Sequence, residues 1–155
     1  MKESRVKIKI ADDSNLRAEI DTLVSSLNQV DLAKWAILCA KHVLPFLETE
    51  FPENETVANG FQTNELWQQG KATIHQVRQA GFKIHAVARQ CITDVAKTAI
   101  RTAGQAVGVG HMKEHAMVCS DYAIKTVQLV FPGSMDKIKA ERQWQLNALK
   151  HFFEK

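Results

Sequence analysis

The stretch from Thr73 to Phe131 constrains the fold of this chain more than any other part of it. Its centre, residues 103–115, reads Ala-Gly-Gln-Ala-Val-Gly-Val-Gly-His-Met-Lys-Glu-His, and its small residues fall on more than one side of a helix. Small residues let neighbouring helices approach closely, so a helix of this kind is typical of a buried position among other helices. The stretch therefore predicts the core of an all-α domain.

Length and charge exclude several classes of protein. The chain has 155 residues, and its net charge of +3 is spread along it without a basic cluster, so we expect no nucleic-acid partner. No apolar run approaches the roughly 20 residues that a membrane helix needs, and no signal-peptide core follows the N-terminus. We therefore expect a cytoplasmic protein with no membrane partner, built as a single domain over 1–155 with an extended lead-in over 1–13.

Apolar residues spaced by three and four predict six or seven helices, joined mostly by short antiparallel connections. The first predicted helix covers 15–28 with Ser14 as its N-cap, and the second covers 32–48 with Asp31 as its N-cap. Pro45 lies inside the second pattern and has no backbone N–H to donate, so we expect a kink or an early end there.

The region after the second helix predicts the one long loop, over 49–62, followed by a short helix at 64–69. Negative charge is concentrated at its start, in a chain that is basic overall. These residues could belong to a surface that recognises a partner, although a solvated surface is the favoured interpretation. They are Glu48, Glu50, Glu53 and Glu55.

The second half of the chain predicts three long helices before a final one. Thr73 and Gln76 form the pattern of a capping box before a helix over 74–91. Asp94 is the predicted N-cap of the next helix, and glycines predict a break at 109–112.

Another helix over 113–131 should end at Pro132-Gly133, and Ser134 should cap the last helix. Many charges of the last helix are expected to face solvent. Its predicted inward residues are Met135, Ile138, Leu146, Leu149 and Phe153.

Three histidines form the sharpest candidate for a site. His111 and His115 would lie on one face of a continuous helix, as metal ligands require, and His85 on the preceding long helix could face them. No H-E-x-x-H or Glu-x-x-His motif accompanies them. Bonding of the histidines to backbone groups at a helix junction is therefore the favoured interpretation, and we predict neither a cofactor nor a metal centre.

Arg89 and Gln105 are polar residues on helices that are otherwise rich in small side chains. They could bind an anion or a carboxylate, or they could form bonds between helices, and the second interpretation is favoured. No nucleophile motif is present, because Cys119 follows His115 by four residues but lies on an apolar stripe. The three cysteines are predicted to be reduced core thiols, and the chain is predicted not to be an enzyme.

Several ordered motifs over about 30–150 resemble one known family. They are Asp31-Leu32-Ala33-Lys34-Trp35-Ala36, Trp67-x-x-Gly70, His85-Ala86-Val87-Ala88-Arg89, Ala103-Gly104-Gln105-Ala106-Val107, His111-Met112-x-x-His115-Ala116 and Glu141-Arg142-x-Trp144-Gln145. Together they are similar to the immunity family five-like proteins of bacterial polymorphic toxin systems. The resemblance implies a cytoplasmic all-α protein that binds a cognate toxin protein and neutralises it by occlusion.

Two other interpretations stay open at this point. One is a metal-binding or small-ligand-binding protein, or an enzyme, that uses a pocket formed by His85, His111 and His115. The other is a homodimer whose exposed apolar stripes pair across a two-fold axis.

Overall fold

The computed structural model describes residues 4–47 and 54–154, and it contains seven α-helices within those ranges. The helices are α1 (Ser14–Val24), α2 (Gln29–Val43), α3 (Glu55–Gln68), α4 (Ile74–Gln90), α5 (Asp94–Gly108), α6 (His115–Val130) and α7 (Met135–Lys150). Short 3₁₀ turns follow α2 at Leu44–Leu47 and α7 at His151–Phe153. The described residues contain no strand, and the predicted all-α helical bundle is confirmed.

Helix α5 is central, because α2, α3, α4 and α6 all pack against it. Apart from Val95, its alanines and aliphatic residues are at most 1% exposed, so the prediction that this small-residue helix forms the core is confirmed. Trp35 on α2 is also fully buried, and its Nε1 donates a hydrogen bond of 2.9 Å to the carbonyl oxygen of Gln145 on α7. All three cysteines are buried, as predicted. No helix in the described ranges combines the length and the apolar character that crossing a membrane requires.

Helix starts show both the value and the limits of capping rules. The capping box at α4 and the cap of α7 by Ser134 are confirmed, and α2 ends at Val43, before Pro45. Three other predicted caps are wrong, because a better-placed side chain precedes each one. The residues that cap α1, α2 and α5 are Asp13, Asn28 and Thr93, in place of the predicted Ser14, Asp31 and Asp94. The carboxylates of Asp31 and Asp94 lie in the first turn instead, where the helix dipole favours negative charge.

The predicted long loop is wrong for residues 55–62, which form the first two turns of α3. Asn54 caps this helix by accepting a hydrogen bond of 3.1 Å from the backbone N–H of Val57. Asn59 and Gly60 resemble a turn in the sequence, but Gly60 lies where α3 crosses α4. A Cβ atom at Gly60 would be 2.5 Å from Cδ1 of Ile84. Residues 49–53 of the predicted loop lie outside the described residues.

The inward face of α7 differs from its prediction. Met135 and Phe153 are 47% and 42% exposed, whereas the three central apolar residues of the predicted stripe are buried. Glu141, Arg142 and Gln145 are buried as well, although the charges of α7 were expected to face solvent. Their side chains are buried because they find polar partners on other parts of the chain.

Candidate functional site

Two glycines on α5 each make room for an imidazole ring. A Cβ atom at Gly104 would lie 2.7–2.9 Å from three ring atoms of His85, and a Cβ atom at Gly108 would lie 3.1 Å from the His115 ring. The two glycines are four residues apart and so share one face of α5, about 6 Å apart along its axis. The rings of His85 from α4 and His115 from α6 therefore rest on neighbouring turns of the same helix.

The turn between α5 and α6 is held in place by side chains from two other helices. Nε2 of Gln29 donates a hydrogen bond of 2.7 Å to the carbonyl oxygen of Val109, and Nδ2 of Asn64 donates one of 2.9 Å to that of Val107. The bond from Gln29 satisfies a carbonyl group beyond the end of α5, and the bond from Asn64 is a second one to Val107, which also accepts a turn bond of 3.2 Å from the backbone N–H of Gly110. The turn carries His111, which lies before the start of α6. The ring centroids of His111 and His115 are 6.0 Å apart.

His115 is oriented by a hydrogen bond to Gln105. The Nδ1 atom of His115 is 2.6 Å from Oε1 of Gln105, and the amide oxygen can only accept, so Nδ1 donates. Gln105 thus forms a bond between α5 and α6. Nε2 is left as the atom through which His115 can bind another group.

Positive charges surround the two supported imidazoles. Burial lowers the pKa of His85, and the positive charges of His115, Arg101 and Arg89 lower it further. Burial also lowers the pKa of His115, together with His111 and Lys7, while Glu114 opposes them. One carboxylate, that of Glu114, acts on these imidazoles against several cationic groups. Both imidazoles are therefore held toward their neutral form in a region of positive potential.

Of the remaining sequence candidates, Arg89 lies one turn from His85 on α4, whereas the acidic residues lie on another helix or outside the described residues. Arg89 is exposed on α4, and Glu55 is exposed in the first turn of α3, where its charge favours the helix start. Glu48, Glu50 and Glu53 lie outside the described residues. Within 4–47 and 54–154, no group of three or more His, Cys, Asp or Glu side chains is arranged to hold a metal ion.

A buried ionic network, which the sequence analysis did not predict, centres on Arg142. Its guanidinium group has no solvent exposure and uses all five of its N–H donors. Two bonds, of 2.9 and 2.8 Å, go to the two carboxylate oxygens of Asp12, and one of 2.6 Å goes to Oδ1 of Asp121. The other two go to Oγ of Ser120 and Oε1 of Gln145. Although burial lowers the pKa of Arg142, the bonds to Asp12 and the charge of Asp121 outweigh it and raise the pKa.

Arg17 on α1 completes the network from the other side. Its Nε and Nη2 atoms donate to the two carboxylate oxygens of Asp121 at 3.0 and 2.9 Å, and its Nη1 donates to the carbonyl oxygen of Ser4 at 2.9 Å. Two guanidinium groups thus balance the two carboxylates. The network joins the segment before α1 to α1, α6 and α7, which makes it a structural element of the fold.

A second polar pair lies where α2 meets α7. Nδ1 of His42 is 2.6 Å from Oε2 of Glu141, and the His42 ring stacks on the Trp144 indole with a centroid distance of 3.7 Å. Burial raises the pKa of Glu141, while its hydrogen bond with His42 and the charges of His42 and Arg142 act in the opposite direction. The Glu141-Arg142-x-Trp144-Gln145 motif thus contributes to both polar clusters.

Comparison with known proteins assigns the chain to a family. The family described as "Imm-5 like putative immunity protein" matches residues 22–152, and the chain therefore belongs to that family. The match includes α2 to α7 and the α7 residues of both polar clusters, whereas Asp12 and Arg17 of the buried network precede it. No curated protein and no solved structure matches the chain.

Proposed function

We propose that this chain is an immunity protein that binds a cognate bacterial toxin and blocks it without catalysing a reaction. The observation that carries the proposal is the family match over residues 22–152. A protein of this kind would act in the cytoplasm of the cell that produces the toxin or of its siblings. The bound protein would cover the active site of the toxin or the surface with which the toxin meets its target.

The fold supports a mechanism of occlusion because its surface is carried by a rigid core. Arg142 and Asp121 fix α7 against α6, and the bidentate bond from Arg17 fixes α1 to the same carboxylate. A pre-organised surface loses little conformational entropy on binding, and this favours tight complexes. The net charge of +3 further favours a toxin surface that is acidic, through electrostatic steering of the encounter. The acidic segment from Glu48 to Glu55 is a candidate for a second contact, with a basic part of the toxin.

Growth of bacteria that express the toxin tests the proposal. The tagged chain first captures its partner from the bacterium that encodes it, and mass spectrometry identifies the captured toxin domain. That domain is then expressed from an inducible promoter in a second bacterium, with or without the chain. We expect colonies to form only when the chain is present. An unrelated helical protein expressed at the same level is the control, and equal killing with and without the chain would refute the proposal.

A further inference from the structure

The face formed by α4, the end of α5 and the start of α6 carries arginine side chains that form no ion pair within the described residues. Arg89 is exposed on α4, and Arg101 is half-buried on α5. Neither forms an ion pair with a carboxylate in the described part of the chain, whereas Arg17 binds one carboxylate and Arg142 binds two. Both Arg89 and Arg101 nevertheless act on His85 through their charge. Arg89 follows His85 by four residues on α4, and Arg101 precedes Gly104 by three residues on α5, so each lies one helical turn from the position of the His85 ring.

Each imidazole adds a ring nitrogen that forms no hydrogen bond within the described residues. The His85 ring is fixed against Gly104 by close packing. His115 is fixed against Gly108 and uses only Nδ1, so Nε2 is available. Rings that are held in position by packing, and that keep unused nitrogen atoms, are suited to bind a ligand at little entropic cost.

We propose that Arg89, Arg101, His85 and His115 form an oxyanion-binding site that accepts a carboxylate side chain of the bound toxin. Guanidinium groups bind carboxylates through two parallel hydrogen bonds, and a protonated imidazole adds a third donor. The bound oxyanion supplies a counter-charge to the two guanidinium groups and favours protonation of the two imidazoles. This inference rests on the proposed function for the source of the carboxylate, but the site itself is defined by the chemistry of the oxyanion.

An exposed aromatic residue beside the cluster favours a protein as the source of the oxyanion. Phe82 is 50% exposed and precedes His85 by three residues, so the two share a face of α4. Arg78 lies over the Phe82 ring, 5.2 Å from its centroid. Aromatic and arginine side chains dominate the energetically important positions of protein interfaces. A free anion would have no use for this apolar surface.

Titration of the histidines by NMR in sulfate and in chloride tests the oxyanion site. Sulfate is chosen because it stays doubly charged across the titration range of histidine. At equal ionic strength, we expect sulfate to move the titration midpoints of His85 and His115 to higher pH than chloride does. A bound anion favours the charged imidazole, against the positive potential of Arg89, Arg101 and Lys7. Identical titration midpoints of His85 and His115 in the two salts would refute the proposed oxyanion site.

Variants of the arginines identify the groups that bind sulfate. Arg89→Gln and Arg101→Gln should each weaken sulfate binding by about tenfold, because each removes one charge-assisted contact. Lys139→Gln on α7 removes the same charge from an exposed position away from the cluster and should leave sulfate binding unchanged. An equal loss in Lys139→Gln would show a general effect of net charge and would overturn the assignment.

Affinity measurements with the captured toxin distinguish the two sources of the oxyanion, which are a toxin carboxylate and a free anion. Arg89→Gln should weaken toxin binding by about tenfold if a toxin carboxylate occupies the site. Sulfate binding with unchanged toxin affinity would overturn the toxin as the source and assign the site to a free anion. Sulfate binding in a chain that protects against no toxin would refute the proposed function while supporting the oxyanion site.

Discussion

Asp121→Asn is the substitution that most directly tests the buried ionic network. The carboxylate of Asp121 is almost fully buried and accepts three hydrogen bonds, two from Arg17 and one from Arg142. Asparagine has nearly the same shape, so the substitution leaves packing intact. It removes the negative charge and places an NH₂ group against guanidinium donors. Arg142 then keeps the carboxylate of Asp12, whereas Arg17 has no other carboxylate partner among the described residues.

We expect Asp121→Asn to lower the free energy of unfolding by about 3–5 kcal/mol, the usual cost of removing one partner from a buried ion pair. Such a loss is a large part of the roughly 5–15 kcal/mol by which a domain is stable. In a chain of this size it should lower Tm by about 10 °C.

Urea unfolding followed by tryptophan fluorescence measures this loss, because Trp35 is fully buried in the native state. Glu19→Gln serves as a matched control, since it removes one carboxylate from an exposed pair in which Oε2 of Glu19 is 3.6 Å from Nζ of Lys150. The control should lose less than about 0.5 kcal/mol.

Two results would refute the electrostatic explanation of this cost. One is a loss below about 1 kcal/mol for Asp121→Asn, which would mean that the guanidinium groups do not depend on this charge. The other concerns Arg17→Met in the Asp121→Asn background. This second substitution removes one of the unbalanced charges and should return part of the lost stability. No recovery would contradict the proposed origin of the cost.

Three further perturbations have outcomes that follow from the structure. Gly60→Ala should destabilise the fold by about 1–2 kcal/mol in urea unfolding. The new Cβ atom collides with Cδ1 of the buried Ile84, and this cost exceeds the helix propensity that alanine gains over glycine. The folded state lowers the pKa of His85 and His115, so their contribution to stability is present above pH 6.5 and is lost as the pH falls through the lowered values. His85→Asn should reduce this loss in unfolding measured at a series of pH values. Burial raises the pKa of the Cys39 thiol, which should react with a thiol reagent only after unfolding.

Each of these expectations has a contrary outcome. A Gly60→Ala variant as stable as the parent would show that the α3–α4 crossing relaxes freely. An unchanged pH profile in His85→Asn would remove His85 as a source of acid sensitivity. Rapid modification of Cys39 in the native state would contradict its burial.

The helices that pack on apolar stripes could be predicted from the sequence because their signals are local. The capping box of α4 and the end of α6 before Pro132 are set by residues within one turn. The start of α3 was missed because Asn59 and Gly60 have the composition of a turn. The reason for a glycine at position 60 is Ile84, on another helix, and sequence spacing does not reveal that contact.

The polar residues also differ in how far the sequence could predict their roles. His85, Arg89, Gln105 and His115 could be proposed because they stand out among small residues, but their relation to the glycines of α5 required the structure. The partners of Arg142 could not be inferred at all. Asp12 is 130 residues away from it in the chain, and Arg17 is 104 residues from Asp121, so no periodic pattern connects them.

Inhibition of the purified toxin by the purified chain tests the central proposal most directly. Toxin activity is measured at a fixed toxin concentration, well above the dissociation constant, while the chain is added in steps. We expect activity to fall in proportion to the chain added and to reach zero at a fixed stoichiometric ratio, as occlusion requires. Activity that stays unchanged in an excess of folded chain would contradict the proposal that this protein neutralises a toxin by binding it.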